Sequence, residues 1–531
     1  MNHGQQIIGF STSAESGETF RAKNPATGED LPTAFHEATK TEIDRALNLA
    51  STAFNDYRGR SAEERAGFLE AIADEIEGLG QQLLETGDAE TALGIPRLTA
   101  ERGRACFTAR LFAKMIREGS WVDARIETAN PDREPLPKPD VRLMHRPLGP
   151  VVVFGASNFP FAISVAGTDT VSALGAGCPV VVKAHPAHPN TCEMIASCIV
   201  RAAQKCGMPE GVFSLIHGRT NEVGIALVEH PKTEVVAFTG SLRGGRALFD
   251  VAQRRPRPIP VYAEMGSVNP VFILPRALRE RGAQIAASYV GSLTLGTGQF
   301  CTNPAVVLGL ESPELSGFIS AAAERAAAVS PATMLHAGIH SAYLSGTEQI
   351  AGLEGVEVAG QAPNADPTRA QAASVVFQAK VDRFFEHEAV LKEEVFGPSS
   401  VVLECQKVEQ MLRFAEGMEG SLSATVHGTA EDLEEFRELL TILETRTGRV
   451  IINGFPTGLE VCTAMHHGGP YPAATHSHFT SVGTNAIYRF VRPVCFQDFP
   501  DSHLPEELRS ANAHGIWRMV NGEMSKEDIV V

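Results

Sequence analysis

The chain reads as an α/β protein built on doubly wound parallel sheets. Short branched-aliphatic runs recur at 151–154, 180–182, 212–216 and 235–238. Segments of helical length, 160–176 and 190–206, separate them, so the units are strand–helix–strand. Runs that are apolar at every position suit strands buried on both faces, as parallel strands are. A second block of the same texture follows from about 267 to 470. At 531 residues the chain exceeds what one core organises, so two or three domains are expected.

The N-terminal part is helical. Ile43, Ala46, Leu47, Ala50 and Phe54 repeat with helical spacing over 41–57. Ser61-Ala62-Glu63-Glu64 is a capping box that opens a second helix, with Leu69, Ile72, Ile76, Leu79 and Leu83 along its buried face. A third helix is expected over about 98–117. Residues 130–140 hold four prolines and little apolar content, which marks a connector or an extended arm.

Composition excludes several function classes. Hydrophobic content of 43% with 21% charged residues is globular. A net charge of −17 argues against nucleic acid or an anionic membrane as partner. Nine cysteines without a CxxC pair fit free thiols in a reducing compartment. Residues 1–13 have no basic flank or long apolar run, and no stretch reaches ~18 apolar residues, so a cytoplasmic protein is expected.

The chemistry lies where the strands end. Cys301 stands in Gly298-Gln299-Phe300-Cys301-Thr302-Asn303, a turn in which a thiol can meet a substrate. A lone cysteine is more often an inert hydrophobe. Its company changes that reading: Glu264 in Ala263-Glu264-Met265-Gly266 is a candidate base, and Asn158, in Gly155-Ala156-Ser157-Asn158-Phe159-Pro160, is a candidate oxyanion donor. Lys183, which ends the 180–182 run, suits ribose hydroxyls or phosphate. Gly240, Ser241 and Gly245 follow the 235–238 run, where backbone N–H groups can approach a pyrophosphate. Glu394 and Phe396, in Glu393-Glu394-Val395-Phe396-Gly397-Pro398, offer an acid for a ribose and an aromatic for a planar ring. The histidines at 466, 467, 476 and 478 invite a zinc reading, but no cysteine or carboxylate pattern completes it, so no metal is expected.

In this order, and with Asn24-Pro25-Ala26-Thr27-Gly28-Glu29, these motifs resemble the NAD(P)-dependent aldehyde dehydrogenase superfamily over nearly the whole chain. His467-Gly468-Gly469-Pro470-Tyr471-Pro472-Ala473, Thr480-Ser481-Val482-Gly483-Thr484 and Arg492-Pro493-Val494-Cys495-Phe496-Gln497 resemble its α-ketoglutaric semialdehyde (2,5-dioxopentanoate) dehydrogenase branch, which is close to a fatty aldehyde dehydrogenase.

The resemblance implies two Rossmann-like domains and a small β arm joining a homodimer or homotetramer. The cofactor domain would hold 1–125 and 148–266, the catalytic domain 267–472, and the arm with the C-terminal segment 126–147 and 473–531. It also implies a mechanism. Cys301 attacks an aldehyde, Asn158 and the Cys301 N–H hold the oxyanion, hydride leaves for the nicotinamide, and Glu264 activates the water that cleaves the thioester. Burial is expected to raise the Glu264 pKa into a useful range. Lys183, Gly240, Ser241, Gly245 and Glu394 are carried over as cofactor contacts, with Phe396 beside the nicotinamide. Many NAD-using relatives place a glutamate three residues after the lysine. Here that position is Pro186, which does not repel a 2′-phosphate, and Arg219 is a candidate partner for one, so NADP is expected to serve at least as well as NAD. The implied substrate has a carboxylate at its far end, for which Arg104 and Arg110 are candidates beside Phe159. The alternative is a medium- or long-chain aldehyde in a tunnel lined by Phe159, Phe161 and Phe300. A retained Glu264 disfavours an enzyme that passes its thioester to coenzyme A.

Overall fold

A computed structural model describes residues 2–363, 365–366 and 369–530. Two seven-stranded sheets organise it. The first has the order Val261–Glu264, Val235–Thr239, Val151–Phe154, Val180–Lys183, Phe213–Ile216, Gln6–Ile8, Ser11–Ser13. Its first five strands are parallel, and the last two are an antiparallel hairpin on the edge. Val151, Val153, Val180 and Val182 enter one apolar core, while Val152, Val181, Val236 and Val261 enter another on the opposite face. This two-sided burial is why the strands read as unbroken valine runs. The chain moves outward from Val151–Phe154 to Phe213–Ile216, then returns to lay Val235–Thr239 on the other side. Loops that leave the carboxyl ends of strands at such a reversal border a crevice.

The second sheet has the order Val356–Gln361, Val375–Lys380, Ser399–Cys405, Val306–Leu310, Val271–Ile273, Ser421–His427, Thr447–Ile452, with only the first pair antiparallel. Cys301 lies just before Val306–Leu310, and 393–398 just before Ser399–Cys405. The functional loops of this sheet therefore sit at the amino ends of its strands, and those of the first sheet at carboxyl ends. The cleft is where the two sets of ends meet.

Three helices match expectation closely: Lys40–Tyr57, Pro189–Lys205 and Ile95–Glu118. The helix opened by the Ser61 capping box is also present, with both reciprocal bonds to Glu64. It stops at Gly78, however, and Leu83 belongs to a separate helix, Gly80–Thr91, because Gly80 takes a left-handed φ of 58°. The helix expected over 160–176 begins only at Thr168. The N–H groups of Phe161 and Ala162 are taken instead by the Glu101 carboxylate, at 2.8 and 3.1 Å, and Ala156 donates to the Ile163 carbonyl at 2.9 Å. Those bonds hold 158–167 as a folded loop.

A third sheet joins Val491–Gln497, Val141–Pro147, Arg125–Glu127, Arg518–Val520 and Glu523–Ser525. The proline-rich 130–140 stretch links two of these strands without a helix. Among the described residues no helix is long and apolar enough to cross a membrane.

Candidate active site

Asn158 is held from behind. Arg97 Nη2 donates to its carbonyl at 2.7 Å, and its own Nδ2 donates to the Gln299 carbonyl at 3.0 Å. One amide proton thus ties the 155–158 loop to the cysteine loop and the other is left for a ligand.

The cysteine loop is an unusual piece of backbone. Gly296, Thr297 and Gly298 have φ of 55°, 59° and 65° in succession. A Cβ on Gly298 would come within 2.4 Å of the Gly397 backbone, so this position needs both glycine's freedom and its lack of a side chain. Buried Asn269 secures the far side: its Nδ2 faces the carbonyls of Cys301, Asn303 and Ser267 at 2.8, 3.1 and 3.2 Å, and its Oδ1 accepts from Ser267 and Ser423. Asn303 donates to the Gly397 carbonyl at 2.9 Å, which brings the 393–398 motif against the loop.

Glu264 ends the edge strand Val261–Glu264. Beyond that edge the chain returns: Met265 N–H donates to the Ala473 carbonyl at 2.8 Å, and Thr475 N–H to that of Ala263 at 3.0 Å. This added extended segment delivers His467 and Ser481. Ser481 Oγ donates to Glu264 Oε2. His467 Nε2 stands 3.5 Å from Cys301 Sγ and 3.2 Å from Glu264 Oε1. Thiol, imidazole and carboxylate donor atoms all lie within 4.8 Å of one another, and no other such group of three occurs among the described residues.

Electrostatics follow from this packing. Burial, and then the Glu264 charge, push the Cys301 thiol well above its ordinary range. Burial alone would raise Glu264 too, but His467, Ser481 and Cys301 together hold its carboxyl below the usual glutamate range. That corrects the expectation of a raised Glu264: hydrogen bonds to the charged form outweigh desolvation. Glu394 accepts from Ser267 N–H at 3.4 Å, but burial outweighs that bond and carries its carboxyl up to about 8. Its Oε2 lies 2.3 Å from where a Cβ on Gly266 would stand, so it rests on the backbone beside Glu264.

The helix Ile95–Glu118 presents Arg97, Glu101 and Arg104 on one face. The Arg97 guanidinium lies over the rings of Phe159 and Phe300, 5.1 and 4.8 Å from their centroids, and Arg104 lies over Phe159 at 5.3 Å. Arg97 is committed to Asn158. Burial lowers the Arg104 pKa, against the charges of Glu101, Cys301 and Glu264, and its stacking on Phe159 puts it next to the Asn158 loop. Arg110 does not reach the site. Six residues past Arg104 it points from a different side of the helix, where it pairs with Asp74 and Glu77 at 2.8 and 2.7 Å on an exposed surface. Phe161 is fully buried against Gly87 and belongs to the core.

The expected cofactor residues other than Glu394 and Phe396 are spread along the first sheet's carboxyl ends. Gly240 and Ser241 are exposed, and Ser241 caps the helix Leu242–Gln253 by accepting from Gly244 N–H at 3.2 Å. That open helix start beside the crevice fits a pyrophosphate. Gly245 is different. It is buried, and a Cβ there would meet Met265 Sδ at 2.6 Å, so it lets the helix approach the Glu264 strand and does not face a ligand. Lys183 is in register with Ile216, and burial lowers its pKa to about 8. Phe396 is half-buried, and Arg219 is exposed after the strand Phe213–Ile216.

Sequence reasoning missed four residues. His467 was inside a quoted motif but read for zinc. Ser481 was likewise quoted without a role. Asn269 and Arg97 carried no signal, because each acts on backbone carbonyls brought near only by folding.

A thiol, an imidazole, a carboxylate and a free amide proton at the meeting of two doubly wound sheets define a covalent oxidoreductase site of the aldehyde dehydrogenase type. Residues 11–471 match the model of the aldehyde dehydrogenase family, and the chain belongs to that family. It is 49% identical over 522 residues to alpha-ketoglutaric semialdehyde dehydrogenase 2 of Azospirillum brasilense, covering 98% of this chain and 99% of that one. It is 43% identical over 527 residues to alpha-ketoglutaric semialdehyde dehydrogenase of Acinetobacter baylyi, covering 99% of each. Among solved structures, betaine aldehyde dehydrogenase of Staphylococcus aureus in complex with NAD+ superposes with a TM-score of 0.80 at 20% identity, covering 94% of this chain and 95% of that one. A 1-pyrroline-5-carboxylate dehydrogenase mutant of Thermus thermophilus gives 0.79 at 21% identity, covering 93% of each. These two likenesses define the fold.

Proposed function

We propose that this enzyme oxidises α-ketoglutaric semialdehyde (2,5-dioxopentanoate) to α-ketoglutarate. The observation that carries the substrate is the 49% identity, over nearly the full length of both chains, to the Azospirillum brasilense enzyme of that name. The constellation of Cys301, His467, Glu264 and Asn158 supports the chemistry.

Cys301 is the nucleophile. Burial makes its thiol a poor acid, so it needs a partner for its proton, and His467 Nε2 at 3.5 Å is that partner. As Sγ bonds to the aldehyde carbon, the carbonyl oxygen becomes an oxyanion facing the free Asn158 amide proton and the Cys301 N–H. One such donor is worth about 2.7–4 kcal/mol. A bound nicotinamide dinucleotide supplies the hydride acceptor. Loss of hydride from the tetrahedral carbon leaves a thioester on Cys301. Glu264, ionised at neutral pH, accepts a proton from water, the resulting hydroxide adds to the thioester, and the carbon–sulfur bond breaks to release the acid. Arg104 receives the substrate's distal carboxylate over Phe159. Two guanidinium groups against Phe159 and Phe300 weigh against the alkanal reading, which needs an apolar tunnel.

On the Lys183 loop, Pro186 neither repels a 2′-phosphate nor accepts from a ribose hydroxyl, so this loop admits both NAD and NADP. The choice falls to neighbouring residues.

The test is kcat/KM for α-ketoglutaric semialdehyde and for a medium-chain alkanal, with each cofactor. The semialdehyde should win. An alkanal preferred tenfold or more, about 1.4 kcal/mol of transition-state preference, would overturn the substrate assignment.

A further inference from the structure

The N-terminal segment brings a carboxylate to the turn that follows the strand beside Lys183. Lys183 ends its strand in register with Ile216, and Ala184 N–H donates to the Ile216 carbonyl at 2.9 Å. The adjacent strand continues through His217–Thr220 into the helix Asn221–Glu229, with Thr220 as its cap residue. Two backbone N–H groups of this turn converge on Glu37: Arg219 N–H on Oε2 at 2.8 Å and Thr220 N–H on Oε1 at 2.9 Å, joined there by the Thr220 hydroxyl. Ala38 N–H donates to the His217 carbonyl at 3.1 Å and fixes the segment. Burial would raise the Glu37 carboxyl, but those donors and the Lys183 ammonium hold it below its ordinary range. Glu37 is in turn the leading carboxylate acting on Lys183.

A carboxylate has about four lone-pair sites. Three are used here, and the one left is on Oε2.

We infer that Glu37 selects the dinucleotide in favour of NAD. It replaces, from a distant part of the chain, the acceptor that relatives place three residues after the lysine. A free ribose 2′-hydroxyl can donate to the open site on Oε2. A 2′-phosphate would instead bring a second anion to N–H groups that Glu37 already occupies. The direction is opposite to what Pro186 predicts alone. The Arg219 N–H is committed to Glu37, and its exposed side chain makes the measured ratio the test of the net preference.

The inference rests on the adenosine ribose lying at Lys183, as proposed above, and the experiment separates the two. Wild-type enzyme should show higher kcat/KM with NAD than with NADP. Glu37→Gln keeps the shape and an acceptor for one of the two N–H groups, and should raise the NADP/NAD ratio of kcat/KM at least tenfold. Glu37→Ala, checked for an unchanged melting temperature, should move it the same way. Lys183→Met should raise KM for both cofactors. If Lys183→Met weakens both while the ratio is unmoved by either Glu37 substitution, Glu37 does not select and the inference is overturned. If Lys183→Met changes neither KM, the ribose lies elsewhere and both readings fall. A wild-type preference for NADP also overturns the inference.

Discussion

Glu264→Gln separates the two halves of the reaction. Gln preserves the shape of the side chain and an oxygen for Ser481, but removes the charge that faces Cys301. That charge is one of the causes that raise the thiol pKa, so its loss makes attack by Cys301 no harder. Deacylation loses its base. A positioned general base contributes about 10²–10⁴-fold, or roughly 2.7–5.4 kcal/mol at 1.36 per decade. Rapid mixing with a saturating aldehyde should therefore show a burst of reduced cofactor near one per active site, followed by turnover slowed by that factor. Cys301→Ala should show neither phase. Unchanged turnover in Glu264→Gln would refute the reasoning and hand the water to His467, the other basic group within reach. The pH dependence has a fixed sign. Glu264 is held below its ordinary range, so both deacylation and the stability linked to this group are present above the unfolded-state pKa and are lost as pH falls through the lower folded one.

Other substitutions probe the remaining parts of the site. His467→Ala should slow the burst about 10²–10⁴-fold near neutral pH, with partial recovery at alkaline pH as the thiol ionises unaided; a burst rate independent of the substitution removes His467 from the mechanism. Arg104→Leu should raise KM for the semialdehyde tenfold or more, as the loss of a charge-assisted bond does, and leave an alkanal nearly untouched. Equal effects on both substrates would assign Arg104 a packing role. Lys183 is protonated below about 8, so cofactor KM should climb as pH rises through that value, and Lys183→Met should flatten the profile. Asn269→Ala removes the two amide protons shared by three carbonyls behind Cys301, and at roughly 1 kcal/mol per proton should cost about 2 kcal/mol of stability by denaturant unfolding.

Much of this enzyme is written locally. Valine runs separated by helix-length segments specify parallel strands buried on both faces, because runs that are apolar at every position, β-branched and too short for a helix suit that element. Ser61 and Glu64 specify a helix start through bonds only three residues apart. Cys301 and Asn158 are legible because each stands in a loop with glycines and small residues around it, and Glu264 because it ends a strand just before Gly266. Local reading fails where long-range partners compete. The 158–167 loop had helical composition, but Glu101, far away in sequence, takes its N–H groups. Arg104 and Arg110 look alike in sequence, and only helix rotation and the partners on each side separate them.

What the sequence by itself determined is the inventory: the nucleophile, the carboxylate, the amide and the strands that carry them. What only the tertiary structure decided is their environment. Glu264 lies low in pKa, not high, because a segment more than two hundred residues later adds itself to the sheet edge and delivers Ser481 and His467. Pro186, read along the chain, offers no acceptor to a ribose, while folding seats the carboxylate of residue 37 on the Arg219–Thr220 turn after the neighbouring strand. The physical reason is the same in both cases. A charge is set by everything within a few ångströms of it, and sequence distance does not measure that separation.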